Sequence, residues 1–352
     1  MSESYPLLLR TDAQKKVWGG RNLERRLSKL LPPGESIGET WETWDGNIIE
    51  NGSARGGTLG QLIERDPAAM LGAAQGHRLP LRFKFIDAHE DLSVQVHPDD
   101  ASAQGIEHEP FGKTEAWYIL HAEPGAQLIH GFARDVDATR VTDYLGKHRL
   151  PELLAHVSVQ SGDVILVPAG TVHAIMRGIV LAEIQQNSDT TYRLYDWGRT
   201  SRELHIAQSL RVARFARQDE HKIPGLTIHR PEFDQRFLAA CRYFSFELWN
   251  VKKSIGRIAL DDRFDILSVI DGTAIIDDVA AQRGQTVFLP ASLDHFSIVP
   301  ASPSCKILRA YVPDLRAHVI EPLRHAGFRD DEIAQLGGAP QTNDLLNLTL
   351  SP

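Results

Sequence analysis

Twelve residues of this chain occur twice in related form. Residues 162 to 173 read GDVILVPAGTVH and residues 284 to 295 read GQTVFLPASLDH, so Gly162, Pro168 and His173 return at the internal spacing of Gly284, Pro290 and His295. Each copy is a glycine turn, a short apolar strand, a proline-led turn and a histidine just beyond it. A strand-and-turn unit repeated this far apart predicts two related β units, and 352 residues are comfortable for two domains. The polar stretch RVARFARQDEHKIPG (211–225) is the expected boundary. It divides the chain into a first unit at 1–210, a second at 211–314 and a tail at 315–352 that is expected to be partly helical.

The rest of the chain agrees with a β framework. Runs such as LRFKFIDA (81–88), EAWYIL (115–120), AQLIHGF (126–132), DVILVP (163–168) and GIVLAEIQ (178–185) are short, apolar and bounded by Gly, Pro, Asn or Asp. Many short strands at close spacing point to a sandwich or barrel. Helical patterning is confined to AQKKVWGGRNLERRLSKLL near the start, TLGQLIERDPAAML (58–71), VDATRVTDYLGKHRLPELLAH (136–156) and the tail from about 313. The fold expected is all-β with helical decorations.

Charge and cysteine content narrow the function. Lys and Arg total 38 against 46 Asp and Glu, a formal charge of -8, which argues against a nucleic-acid or anionic-membrane binder. An anionic substrate would need a locally basic pocket. Cys241 and Cys305 carry no C-x-x-C spacing and are expected to be packing thiols in a reducing compartment. The opening MSESYPLLLRTDAQKKVWGG has only a four-residue apolar run, and no segment reaches transmembrane length, so the expected location is cytoplasmic.

The stretch LSVQVHPDD (92–100) carries polar groups inside an apolar run. Strand alternation turns Leu92, Val94 and Val96 one way and Ser93, Gln95 and His97 the other. Alone, this is an edge strand wetted on one side. The Gly-x5-Pro-x-Gly-x2-His spacing of the first repeat, however, resembles the second half of the cupin signature, which implies two cupin-like jelly-roll barrels. The second copy departs from it, with Ser292 at the turn glycine. In a cupin barrel the histidine of this segment points inward toward a metal held by an earlier strand.

A common cupin site takes H-x-H, a glutamate and the later histidine. Here Gln95 and His97 stand for H-x-H, Glu115 in GKTEAWYIL is the next inward carboxylate, and His173 completes the set. Such donors suit a divalent ion such as Zn²⁺. A neutral glutamine leaves the ion more electrophilic than a second carboxylate would, favouring Lewis-acid over redox chemistry. A lone histidine near a strand end is more often structural than ligating, so the joint spacing carries this reading. His89, His108, His121, His130 and His156 lack such spacing and are expected on the surface or in the core. The acidic run DDRFD (261–265) is expected to be a solvated turn.

The strings LSVQVHPDD, FGKTEAWYIL, VPAGTVHAI and EIQQNSDTTYRLYDWGR resemble the blocks of type I mannose-6-phosphate isomerases, in the shorter bacterial form. The resemblance runs from the PLLL…KVWGG opening through Arg199 and more loosely to about residue 312, leaving the tail from Leu315 unexplained. It implies one zinc ion per chain on Gln95, His97, Glu115 and His173, with Lys113 and Arg193 as active-site cations and Ser93 as a further substrate contact. It also implies interconversion of mannose 6-phosphate and fructose 6-phosphate through a cis-enediolate. Lys113 is open to several roles: charge stabiliser, phosphate contact, or acid or base. Arg193 stays protonated and suits a phosphate or an enediolate. Glu183, Asp189 and Asp196 receive no catalytic role. No Q-x-H or H-x-H precedes His295 at the matching place, so the second barrel is expected to hold no metal. The competing readings are a cupin oxygenase, against which Gln95 counts, and a non-catalytic sugar-binding cupin, against which the intact ligand set counts. The partner expected is a small sugar phosphate. The sequence leaves the oligomeric state open.

Overall fold

A computed structural model describes residues 4–72, 76–219 and 221–349. The last three residues of the expected tail and Glu220 of the expected boundary lie outside the described residues. Three sheets organise the chain, and every paired strand in them is antiparallel. A six-stranded sheet runs Asp12–Gly20, Ile37–Thr43, Leu81–Ala88, Ile179–Gln186, Glu115–Ala122, Val164–Val167. A five-stranded sheet runs Tyr192–Tyr195, Val94–Val96, His173–Ile175, Gln127–Phe132, Leu154–Ser158. These two make the first barrel. A nine-stranded sheet built on Asp265–Ile276 and His295–Tyr311 makes the second, and it also takes in Leu7–Leu9, which pairs with Thr286–Leu289. The architecture is two cupin-like barrels with helices as decoration.

Side-chain alternation divides the six-stranded sheet into two chemistries. Its outer face carries Phe83, Phe85, Ala116, Val164, Leu166, Ala182 and Ile184, which share one buried cluster with Phe237, Phe246, Ile266 and Phe288 of the second barrel. Its inner face changes along the strands. Arg82, Gln185 and Glu115 stand abreast at one level, Lys84, Glu183 and Trp117 at the next, and Ile86, Leu181 and Ile119 below them. The barrel interior therefore has an apolar floor, completed by Trp18, Leu128, Ile165 and Ile175, and a polar end. The inward charges of these three strands, Arg82, Glu115, Lys84 and Glu183, lie at that end, and Glu39 of the neighbouring strand reaches them from the level of Ile86.

Two expected elements differ. The run AQKKVWGG is strand, within Asp12–Gly20, and the helix is confined to Asn22–Leu27. Gly19 explains the strand: a Cβ there would lie 2.3 Å from the backbone nitrogen of Gly38, so the two strands meet only because the side chain is missing. Leu92 also parts from Val94 and Val96. The strand begins at Val94, and Leu92 drops into the floor while Val94 and Val96 pack under the helix Ala138–Gly146 with Val141 and Leu150.

The DDRFD run is only half a solvated turn. Asp261 and Asp262 adopt left-handed φ values of 51° and 55°, but Asp265 is buried, because Arg309 pairs with it at 2.6 Å inside the second barrel. Helical pieces of the tail, among them Glu321–His325, Asp330–Ala334 and Asp344–Thr349, add Leu323, Ile333 and Leu345 to the cluster between the barrels. Cys241 and Cys305 are free and buried, as packing thiols should be. No helix among the described residues is long and apolar enough to cross a membrane.

Candidate metal centre

The five-stranded sheet brings the sequence motifs into register. Gln95 stands opposite His173 on one side and Arg193 on the other. His97 follows one residue beyond the strand, and Gly170 ties the two histidine segments together by donating its N–H to the His97 carbonyl at 2.8 Å. Gly170 is needed at that place, with φ +86° and a Cβ position only 3.0 Å from the Val212 carbonyl.

Each histidine is aimed by its other ring nitrogen. His97 Nδ1 donates to the Thr190 carbonyl at 2.9 Å and His173 Nδ1 to the Thr171 carbonyl at 2.8 Å. These backbone acceptors fix the tautomer and leave both Nε2 lone pairs for an electrophile. Across the barrel, Glu115 comes from the facing sheet, with Oε1 3.3 Å from His173 Nε2 and Oε2 3.5 Å from His97 Nε2. Both carboxylate oxygens are buried without an aligned hydrogen bond. Leaving such a group unmatched costs several kcal/mol, of order 1–3 for an ordinary polar group and more for a charge. The donor atoms of His97, Glu115 and His173 lie within 4.8 Å of one another, a spacing that fits one ion, and this is the one such trio among the described residues. Gln95 reaches the same centre, its amide 3.2 Å from His173 Nε2.

Burial sets the protonation of the ligands. It holds His97 well below the ordinary histidine range, helped by the nearby charge of Lys113, and lowers His173 to about 4. Both are neutral and able to ligate at pH 7. Lys113, also buried, lies 3.0 Å from Glu115 Oε2 and 3.1 Å from His97 Nε2. Burial opposes its charge, but Glu115 and then Glu183 outweigh burial and raise its pKa. Lys113 is thus a held cation.

A cavity of about 240 Å³ opens onto this cluster, lined by Ser93, Gln95, Lys113 and Arg193 and by further charges. Arg193 donates from Nε to Ser93 Oγ at 3.3 Å and from its NH1 group to the Glu203 carbonyl at 2.8 Å. All seven expected site residues are therefore brought to one place.

Lys84, Lys16 and Glu39, which no motif spacing marks, line the same cavity, as does Glu183. Lys84 spans Glu183 at 3.4 Å and Glu39 at 3.9 Å, while Trp117 Nε1 donates to Glu183 at 2.9 Å. Burial, then Glu115, pushes the Glu183 pKa up. The signal for Lys84 was present: in LRFKFIDA two cations alternate with two phenylalanines, so one face of that strand is charged. Asp196 is buried between Arg199 and Arg202 and orients them. Asp189 bonds to Arg82 between this cavity and a broader cleft of about 910 Å³.

Comparison with known proteins agrees with the geometry. The family description "Phosphomannose isomerase type I, catalytic domain" matches residues 7–118, and "Mannose-6-phosphate isomerase, cupin domain" matches residues 234–312. The mannose-6-phosphate isomerase ManA of Bacillus subtilis is 34% identical over 309 residues, covering 83% of this chain and 95% of that protein. The crystal structure of the mannose 6-phosphate isomerase from Bacillus subtilis superposes with a TM-score of 0.80 at 32% identity, covering 88% of this chain and 99% of that one. A zinc-bound mannose 6-phosphate isomerase shares the fold at 18% identity, with a TM-score of 0.71 over 87% of this chain and 99% of its own. With two barrels, a buried histidine–glutamate cluster and relatives of this similarity, the chain belongs to the type I phosphomannose isomerase family of isomerases.

Proposed function

We propose that this protein interconverts mannose 6-phosphate and fructose 6-phosphate, with one zinc ion held by Gln95, His97, Glu115 and His173. The observation that carries the reading is the buried trio of His97, Glu115 and His173, whose donor atoms lie within 4.8 Å of one another and whose imidazole rings are locked by backbone carbonyls. The name of the Bacillus subtilis relative, a mannose-6-phosphate isomerase, supports the substrate. In this reading residues 1–210 carry the site, 211–314 form the companion barrel and the described part of the tail, 315–349, closes the seam between them.

The reaction moves a proton between C2 and C1 through a cis-enediolate. A bound divalent ion supplies Lewis acidity to the two sugar oxygens. The residues lining the cavity bind the sugar phosphate and stabilise the charge that develops. Arg193, half-buried and held in a fixed orientation by Ser93 and Glu203, presents its guanidinium to developing negative charge. Lys113, 3.0 Å from Glu115 and lining the cavity, is a second cation for the enediolate or the phosphate. Ser93 supplies a hydroxyl at the same wall. The cavity cations Lys16, Lys84, Lys113, Arg193 and Arg202 give a dianionic substrate local attraction in a chain whose overall charge is -8. The deep apolar floor excludes water below the reacting carbons.

Elemental analysis of the purified protein beside a coupled mannose 6-phosphate isomerisation assay tests the reading. One zinc per chain with activity lost to a chelator and restored by zinc is the expected result. A metal-free protein with undiminished turnover, or a zinc protein inert toward both sugar phosphates, would overturn it.

A further inference from the structure

Lys113 sits in a loop, since the strand that carries Glu115 begins only at that residue. A lysine on irregular backbone has four side-chain bonds to order and needs its main chain held if its ammonium is to stay in place. Three consecutive amides do this. Gly112 N–H donates to Asp100 Oδ1 at 2.7 Å, Lys113 N–H to the Pro98 carbonyl at 2.9 Å, and Thr114 N–H to Gln186 Oε1 at 2.9 Å. Gly112 is pressed so closely on the Asp100 segment that a Cβ would lie 2.5 Å from the carbonyl carbon of Asp99.

Asp100 is the hub. Its Oδ1 also accepts from Gln186 Nε2 at 2.8 Å, and its Oδ2 accepts from the Tyr243 hydroxyl at 2.8 Å. Tyr243 belongs to the other barrel, at the tip of the hairpin joining Phe233–Ala240 to Ser245–Val251, where Cys241 N–H donates to the Phe244 carbonyl at 2.9 Å. Burial and the Asp100 charge raise the Tyr243 pKa, so the phenol remains a donor. Arg242, its neighbour on the tip, instead holds Asp344 of the tail. One carboxylate therefore joins the loop of Lys113, the end of the strand Ile179–Gln186 and the second barrel, through charge-assisted bonds.

We propose that Tyr243 and Asp100 are positioning residues through which the second barrel sets the location of the Lys113 ammonium in the first. The proposal rests on the reading of Lys113 as a substrate-facing cation. It gives the second barrel a part in turnover without any contact with substrate or metal. Displacing a catalytic group by about 1 Å can cost roughly 10²-fold in rate, so a single lost anchoring bond is expected to register in kcat.

The test uses zinc-loaded full-length Tyr243→Phe, Asp100→Asn, the double variant, Arg242→Ala and Lys113→Met. For Tyr243→Phe, kcat is expected to fall roughly five- to twentyfold with zinc content and KM near wild type. Amide hydrogen exchange at residues 112–114 should quicken by about fivefold. The double variant should lose no more than Asp100→Asn alone, because both act through one contact. Arg242→Ala, on the same tip but turned to the tail, should keep its kcat. Unchanged kcat in Tyr243→Phe beside a crippled Lys113→Met overturns the proposal alone, as does zinc loss in proportion to activity. Full turnover by Lys113→Met overturns the reading of Lys113 as well.

Discussion

Glu115 of the first barrel stands across from Val167, and Asp265 of the second stands across from Leu289, the residue at the same place in the repeated dodecamer. One level deeper the correspondence continues with the charges reversed. Lys84 pairs across to Glu183 in the first barrel, and Glu247 pairs across to Arg309 in the second. Arg309 is bound to Asp265 at 2.6 Å, lies 3.6 Å from Glu247 and is sandwiched near the rings of Trp249 and Tyr311, while the Tyr311 hydroxyl and Trp249 Nε1 both donate to Glu247. The second barrel answers its buried carboxylates with a guanidinium of its own chain. The first sets Glu115 between two neutral imidazoles, with the Lys113 ammonium 3.0 Å from one of its oxygens, so the side of the carboxylate that faces the histidines can take an ion from outside. The turns differ accordingly. The left-handed residue is Gly170 in the first copy, three before His173, and Asp294 in the second, immediately before His295. His173 ends buried and His295 exposed.

Five experiments press on this contrast, the largest effect first. His97→Ala or His173→Ala should lower activity by at least on the order of 10³-fold, beyond the 10- to 100-fold typical of an outer-shell partner, with zinc content falling in step. Full metal and turnover in both would remove the ligand assignment. Among the described residues, Arg309→Met leaves Asp265 only Arg263 at 3.4 Å and Glu247 no cation, and should cost about 3–5 kcal/mol of stability in denaturant titrations. A wild-type midpoint would show that the second barrel does not depend on its internal cation.

Arg193→Ala should lose about 2–4 kcal/mol in kcat/KM while keeping its zinc. Because Arg193 uses two edges of its guanidinium, Arg193→Lys should lose nearly as much. Near-normal kinetics in metal-replete Arg193→Ala would take the residue out of the mechanism.

The fourth test is acid sensitivity. Burial, then His221, lowers His130 of the first barrel to about 3, whereas His229 and His295 of the second are exposed. A histidine whose folded pKa lies below its unfolded value of 6.5 takes up its proton first in the unfolded chain, so the stability it confers is lost as pH falls from 6.5 toward 3. Between pH 7 and 5 this amounts to about 2 kcal/mol for His130. Hydrogen exchange at both pH values should show strands of the first barrel weakening more, and His130→Gln should narrow the gap. Equal weakening in both barrels would count against the assignment. Last, His295→Ala should change neither zinc content nor rate, and a second tightly held metal lost in that variant would erase the contrast.

Much of this was legible from spacing. The repeat predicts two related β units, and the resemblance to cupin and isomerase blocks puts Gln95, His97, Glu115 and His173 in one set, a pattern that survives in sequence because inward residues keep strand spacing. What stayed hidden depends on partners far along the chain. Asp265 looks like a turn residue until Arg309 is placed beside it, and the strand AQKKVWGG looks helical until Gly38 comes up against Gly19. Lys84 was readable from alternation alone, but its purpose emerges only when Glu183 and Glu39 close around it.

The strand Leu7–Leu9 has a consequence for how the molecule is made. Its partners, Thr286 to Phe288, leave the ribosome some 280 residues later, at synthesis rates of roughly 5–20 residues per second. For that interval of tens of seconds the strand has only the 48–51 segment to pair with, through Leu9 and Ile49, and the loop that must close to reach Thr286 spans some 280 residues, which slows that pairing step. A nascent chain halted before residue 286 would leave open the edge of Leu7–Leu9 that Thr286–Phe288 covers. Completion of the second barrel is thus also the moment at which the second edge of this strand is covered.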